Sequence, residues 1–228
     1  MNQRMTKRGV AGAAKPSITN RTGAARRSQE ERSRDARAKL LKATIAVLVE
    51  RGYGGLSTKE VAARAGLSSG ALAHHFAAKA DLVIAATTTV YEEAITRGQR
   101  VAMSVRAIRN PIRGFIEDCA SVYFEWPFLA ALEVLVAARS DAALMKQILP
   151  VMRRYREVTN VVWLDVFRRS AIPDAQCELL LNLTLNMVRG MAVNSLWQKD
   201  MKRYRAQLLQ WERLVNRTLA APAESARR

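Results

Sequence analysis

Residues 56–76 read LSTKEVAARAGLSSGALAHHF, and the chemistry of this stretch decides the fold. Ser57-Thr58-Lys59-Glu60 has the form of a capping box, in which a serine hydroxyl caps the amide three residues on and the glutamate reaches back. A helix is therefore expected to start here. Val61, Ala62 and Ala65 recur at helical spacing, and Gly66 follows where a helix ends in a left-handed residue. Ser68 or Ser69 can cap a second helix, to which Leu72 and Phe76 give one buried face. Ala62 is small where two steeply crossing helices must approach, Gly66 supplies the turn and Leu72 the shared core. That is the packing logic of a helix-turn-helix.

The surrounding chain is 228 residues long and 49% hydrophobic, enough for one large domain or two small ones with a real core. Aromatic residues make up only 6%, and nearly every periodic stretch repeats at about 3.6 residues, so the fold class is all-α. A formal charge of +17 implies a polyanionic partner, nucleic acid or an anionic membrane surface. Basic residues are spread over many helices and do not line one face opposite Trp and Phe, which argues against the membrane. No apolar run approaches the roughly 18 residues of a membrane span, and the N-terminus lacks the apolar core of a signal peptide. A cytoplasmic location is expected. Cys119 and Cys177 lie far apart in apolar helical contexts, so neither a disulfide framework nor a metal knuckle is suggested.

Residues 1–33 carry Arg4, Lys7, Arg8, Lys15, Arg21, Arg26, Arg27 and Arg32 among small residues and are expected to form a disordered basic arm. This arm is either a solvated tail or a source of additional phosphate or minor-groove contacts. From 34 to 78 a helical head is expected. Its first helix has Leu41, Ile45, Leu48 and Val49 on one face and ends at Gly52, before the helix-turn-helix. Residues 79–220 form the C-terminal helical domain, and 221–228 a tail. An exit helix starts at Lys79; 97–109 reads as its continuation or as a loop. Asn110-Pro111 starts the next helix. Trp126-Pro127 marks a break, Pro150 should kink a long helix, and the helix after Ile172-Pro173-Asp174 is apolar nearly all round.

The order of parts resembles the TetR family of bacterial repressors. Val49-Glu50-Arg51-Gly52-Tyr53 is similar to the end of that family's first helix. Residues 57–68 are similar to Thr-x-x-x-Ile/Val-Ala-x-x-Ala-Gly-Val/Leu-Ser, and 70–82 to Gly-x-Leu-Tyr-x-His-Phe-x-x-Lys-x-x-Leu. The family's usual tyrosine is Ala73 here, which removes a phenol that commonly contacts DNA; His74 takes the following, usually aromatic, site. The resemblance implies an N-terminal three-helix helix-turn-helix head on a C-terminal ligand-binding and dimerisation domain.

Double-stranded DNA is thus the expected partner. A recognition helix entering the major groove presents Ser68, Ser69, Gly70, Ala71 and His74 to the bases. By resemblance His75 and Lys79 bind phosphate, and Thr58 and Lys59 should do so at an amide-rich helix end. A homodimer would carry two such helices onto a palindromic operator. In the family a small molecule in the C-terminal core shifts the exit helix; for this unidentified effector the candidates are Trp126, Phe128, Trp163, Asn186, Met187, Asn194 and Trp197, the aromatic, soft and amide mix a pocket uses. No catalytic set, metal-ligand spacing or cofactor motif is present, so an enzyme is not expected. The alternative is a nucleoid-associated or ligand-independent DNA-binding protein of the same fold.

Overall fold

The computed structural model describes residues 18–124 and 128–220, with side chains from Ser28 onward. Ten α-helices make up these residues: α1 (Ile18–Gly55), α2 (Thr58–Arg64), α3 (Ser69–His75), α4 (Lys79–Ala102), α5 (Val105–Arg109), α6 (Pro111–Tyr123), α7 (Phe128–Ala138), α8 (Ala142–Arg168), α9 (Asp174–Asn194) and α10 (Met201–Ala220). The all-α expectation holds, and the described residues contain no strand.

Helix α1 corrects two expectations. It begins at Ile18, so residues 18–33 are helical where a disordered arm was expected; residues 1–17 lie outside the described part, as does the tail 221–228. Residues 28–35 are all exposed, so packing does not hold this part of the helix. Its Ala, Arg, Gln and Glu are strong helix formers, and elongating an existing helix avoids the cost of nucleation. Further along, Leu40, Leu41, Val47 and Leu48 are buried while Val49 is 58% exposed, so the buried face is rotated from the one expected. Gly52 interrupts the helix at φ 67° and ψ −178°, a backbone that glycine adopts without strain.

Two apolar cores run through the molecule. The first contains Leu40, Val47, Val61, Leu72 and Phe76 of the head and Leu82 of α4, but also Ala130, Val134 and Ala138 of α7 and Leu144 and Ile148 of α8. The head core is therefore continuous with helices far away in sequence, and α7 packs along α1. A head ending at residue 78 shares its core with the domain that follows. The second core gathers Phe115, Cys119, Tyr123, Tyr155, Trp163, Phe167, Leu181, Leu185 and Val188 from α6, α8 and α9. Helix α4 belongs to both: Leu82, Val83 and Ala86 lie in the first, Tyr91, Ala94 and Ile95 in the second. A displacement in either core thus reaches the other along one rod.

Several local expectations are resolved here. Residues 97–109 are neither plain continuation nor plain loop: α4 runs to Ala102, and α5 follows with Ser104 Oγ accepting from the Ala107 amide at 3.1 Å. Helix α6 has Pro111 in its first turn, but the Asn110 side chain makes no capping bond. Helix α8 runs on through Pro150, capped by Asp141 Oδ1 on the Leu144 amide at 3.0 Å. Helix α9, expected to be buried on several sides, leaves Leu179, Leu183, Val193 and, just beyond it, Trp197 exposed in the single chain. Among the described residues no single helix is long and apolar enough to cross a membrane.

Candidate nucleic-acid interface

The two helices of the motif are held by different contacts from those expected. Ser57 makes no side-chain cap on α2, and Glu60, its supposed capping partner, pairs instead with Arg51 at 3.0 Å and Arg64 at 3.2 Å. Arg64 also reaches Glu50 at 2.5 Å, so two acidic and two basic groups bind the end of α1 to α2. The Arg64 hydrogen bond and nearby charge hold the Glu50 carboxyl below its ordinary range, although both groups are solvated and the pair is screened. The turn matches expectation: Gly66 has φ 67°, and Leu67 N donates to Ala62 O at 2.9 Å. Ser68 then caps α3, its Oγ accepting from Ala71 N at 3.1 Å.

That cap orients the reading surface. Ser68, Ser69, Gly70, Ala73 and His74 are exposed, and Ala71 and His75 are half-buried, while Leu72 and Phe76 point into the core. The polar N-terminal end of α3 is thus presented by a rigid pair. The His74 and His75 rings meet edge to face at 5.4 Å between centroids. Thr58 is half-buried and Lys59 exposed at the start of α2. Candidates Thr58, Lys59, Ser68, Ser69, Gly70, Ala71, His74 and His75 therefore lie on or beside the two short helices.

Lys79 is placed differently. Its Nζ donates to the Tyr53 carbonyl at 2.7 Å and lies 4.5 Å from the Tyr53 ring centroid. Burial pushes its pKa below the ordinary lysine value. Its ammonium is engaged in joining α4 to the link after α1, a role that spacing could not reveal because the partner is a backbone carbonyl. The amide of the same Tyr53 donates to Glu133 Oε2 of α7 at 2.9 Å.

The effector candidates are not brought together. Trp126 lies outside the described residues. Phe128 is buried edge-on against Tyr123 at 4.7 Å. Trp163 is fully buried against Phe115, and its Nε1 donates to Asp118 Oδ2 at 2.8 Å. Met187 is half-buried against the second core. Asn186 and Asn194, expected to need partners inside an apolar helix, are exposed, and Trp197 is 75% exposed. The reason is one of phase: Asn186 and Asn194 lie on the exposed face of α9 and Trp197 in the turn that follows it, although the apolar residues of α9 suggested burial. Of the seven, Asn186 alone borders the cleft of 450 Å³ between α8 and α9, with Met152, Arg156 and Arg189. The arginines gave no apolar or amide signal and were missed. Cys119 and Cys177 are free and buried, and burial raises both thiols above the ordinary value, which leaves little thiolate for redox chemistry. No His, Cys, Asp or Glu group suited to a metal occurs among the described residues.

Comparison with known proteins agrees with this geometry. The sequence model described as "Bacterial regulatory proteins, tetR family" matches residues 40–86, from the first core residue of α1 into α4. The HTH-type transcriptional regulator CymR of Pseudomonas putida is 35% identical over 199 residues, covering 87% of this chain and 95% of CymR. An HTH-type transcriptional regulator of Mycobacterium bovis is 24% identical over 167 residues, covering 73% of this chain and 86% of its own. Among solved structures, a transcriptional regulator from Pseudomonas aeruginosa PAO1 superimposes with a TM-score of 0.65 at 23% identity, covering 81% of this chain and 90% of its own. The regulator FadR of Bacillus subtilis, solved with stearoyl-CoA, gives 0.60 at 16% identity, covering 81% of this chain and 97% of FadR.

Proposed function

This chain belongs to the TetR family of bacterial regulatory proteins and is a DNA-binding transcriptional regulator, and on that premise we propose that it is a ligand-responsive repressor acting as a homodimer on a palindromic operator. The observation that carries the reading is the exposed end of α3, where capped Ser68, Ser69, Gly70 and His74 stand clear of the core while Leu72 anchors the helix. Small residues let the helix approach the groove floor. Ala71 and Ala73 can meet thymine methyls, and His74 can donate to a base edge. Thr58, Lys59 and His75 supply phosphate contacts that set register, with the basic residues ahead of the head adding to them.

Dimerisation is supported by α9. Leu179, Leu183, Asn186, Gly190, Val193 and Trp197 recur every three or four positions, carry no charge and are exposed in the single chain. A Cβ on Gly190 would meet nothing, so the face is open for a second copy to approach. Two copies would set their α3 helices roughly 34–36 Å apart, one turn of DNA. Ligand response is supported by α4, which spans both cores and is tied at its start to Tyr53. An effector changes DNA affinity only by binding one of the two head spacings better.

The test is a mobility-shift titration of the chain's own upstream DNA against shuffled DNA of equal length, over a series of salt concentrations. Tighter binding to the upstream sequence supports a specific operator. Equal affinity leaves only the electrostatic term and favours the ligand-independent DNA-binding alternative.

A further inference from the structure

The cleft between α8 and α9 carries more positive charge than the fold requires. Arg153, Arg156 and Arg189 line it with a single acidic residue, Glu157, and its volume of 450 Å³ suits a small molecule. Neither Arg156 nor Arg189 has a carboxylate within ion-pair distance among the described residues. Both are instead held by neutral groups. Arg189 Nε donates to Tyr123 Oη at 2.8 Å, with the guanidinium 5.3 Å from that ring's centroid, and Arg156 donates to Asn182 Oδ1. Tyr123 is itself fixed from behind by Phe128, packed edge to face at 4.7 Å.

Two half-buried guanidiniums are therefore oriented beside each other, and among the described residues Arg189 donates from Nε and not from its terminal nitrogens. Burial and the charge of Arg189 lower the pKa of Arg156, whereas at Arg189 burial is outweighed by Tyr123, Tyr155 and Tyr91, which raise its pKa. Planar guanidinium donors match the two oxygens of a carboxylate through charge-assisted, often paired hydrogen bonds. We infer that this cleft binds the carboxylate of a small organic acid between Arg156 and Arg189, with the rest of the molecule against Met152. This rests on the ligand-responsive reading above and names the chemistry of the effector. It also gives the ligand a route to the head, since Met152 and Tyr123 pack in the core that α4 enters.

The experiment uses the full chain without DNA, titrated calorimetrically with hexanoate and benzoate, with hexanamide and benzamide as uncharged counterparts, and with inorganic phosphate. Saturable binding of a carboxylate, at least about tenfold tighter than its amide, is expected. Arg189→Gln and Arg156→Gln should each remove that preference while an Arg203→Gln control retains it; circular dichroism monitors folding, and Arg156→Gln decides alone if Arg189→Gln does not fold. No carboxylate binding in the millimolar range, equal binding of amide or phosphate, or a preference that survives in the folded variants overturns the site. A second arm adds the operator complex. Carboxylate that saturates the protein without releasing DNA leaves the site standing and removes the ligand-switch reading; release by the neutral amides alone, with no carboxylate binding, does the reverse.

Discussion

Glu133 of α7 accepts a 2.9 Å hydrogen bond from the backbone amide of Tyr53, while Lys79 donates to that residue's carbonyl at 2.7 Å. Both polar groups of one link residue are thus satisfied by side chains outside the helix-turn-helix. Gly52 makes this possible: its φ of 67° turns the chain, and a Cβ there would collide with the Glu133 carboxylate. Gly52→Ala is expected to destabilise the protein by roughly 1–3 kcal/mol, from the left-handed backbone and the displaced carboxylate together. A urea midpoint unchanged from the parent would show that the link relaxes freely.

Removing the clamp from the other side separates stability from coupling. Glu133→Ala leaves the Tyr53 amide to solvent and should cost only about 1 kcal/mol, since the site is exposed. Its larger effect is expected on DNA affinity, because α7 then no longer holds the end of α1. Lys79→Ala should act in the same way, lowering the melting temperature as well as affinity. A Lys79→Ala protein that melts like the parent and binds every DNA more weakly would instead return Lys79 to a phosphate contact.

Asp118 in α6 is buried, with Trp163 Nε1 on one oxygen and, among the described residues, no hydrogen-bond partner for the other. Burial raises its pKa above the ordinary value of 3.8, and the Trp163 bond and Arg97 charge only partly oppose this. The folded state therefore holds a proton that the unfolded chain has released, so this group's contribution to stability falls as pH rises from that value through the folded pKa. Asp118→Asn keeps an acceptor for Trp163 and removes the buried charge. Urea denaturation between about pH 4 and 7 should show a flatter dependence for the variant; an identical slope would mean that Asp118 is solvated as a carboxylate.

The head was legible because its determinants are local. Gly66 at positive φ, Ser68 capping Ala71, and Leu72 and Phe76 turned inward are all consequences of neighbours within a few positions. The Ser57 cap was misread because Glu60 has competing partners, Arg64 one turn on in α2 and Arg51 across the link in α1. The effector domain was legible only as helices. Asn194 and Trp197 looked buried because α9 is apolar around most of its circumference, and sequence cannot say which side a second chain would cover. Arg156 and Arg189 went unnoticed because an arginine in an amphipathic helix reads as a solvated face until its partners prove to be Asn182 and Tyr123.

The exposed stripe of α9 makes a direct prediction about assembly. Leu183 is 46% exposed at its centre, with Leu179 and Gly190 on the same face. Leu183→Glu would place a charge in an apolar interface on both copies, a strongly unfavourable burial. Sedimentation is expected to show a dimer for the parent and a monomer for the variant, each fully helical. A variant that remains dimeric would move the interface elsewhere, α10 with exposed Leu209 and Leu214 being the next surface to alter.

His74 and Lys59 should separate base reading from phosphate binding. His74 is the one exposed side chain of α3 that is both long and polar, since Ala73 stands where the family's usual tyrosine would be. In a selection of bound sequences from random DNA, His74→Ala is expected to change the preferred bases at symmetric positions, a loss of about 1–3 kcal/mol in discrimination at each. Lys59→Ala should weaken binding uniformly and reduce the dependence of log affinity on log salt by about 1 per subunit, without changing the selected sequence. If His74→Ala selects the same sites as the parent, recognition must come from the alanine methyls, the α3 backbone and the shape of the DNA, and His74 would join Lys59 as a positioning contact.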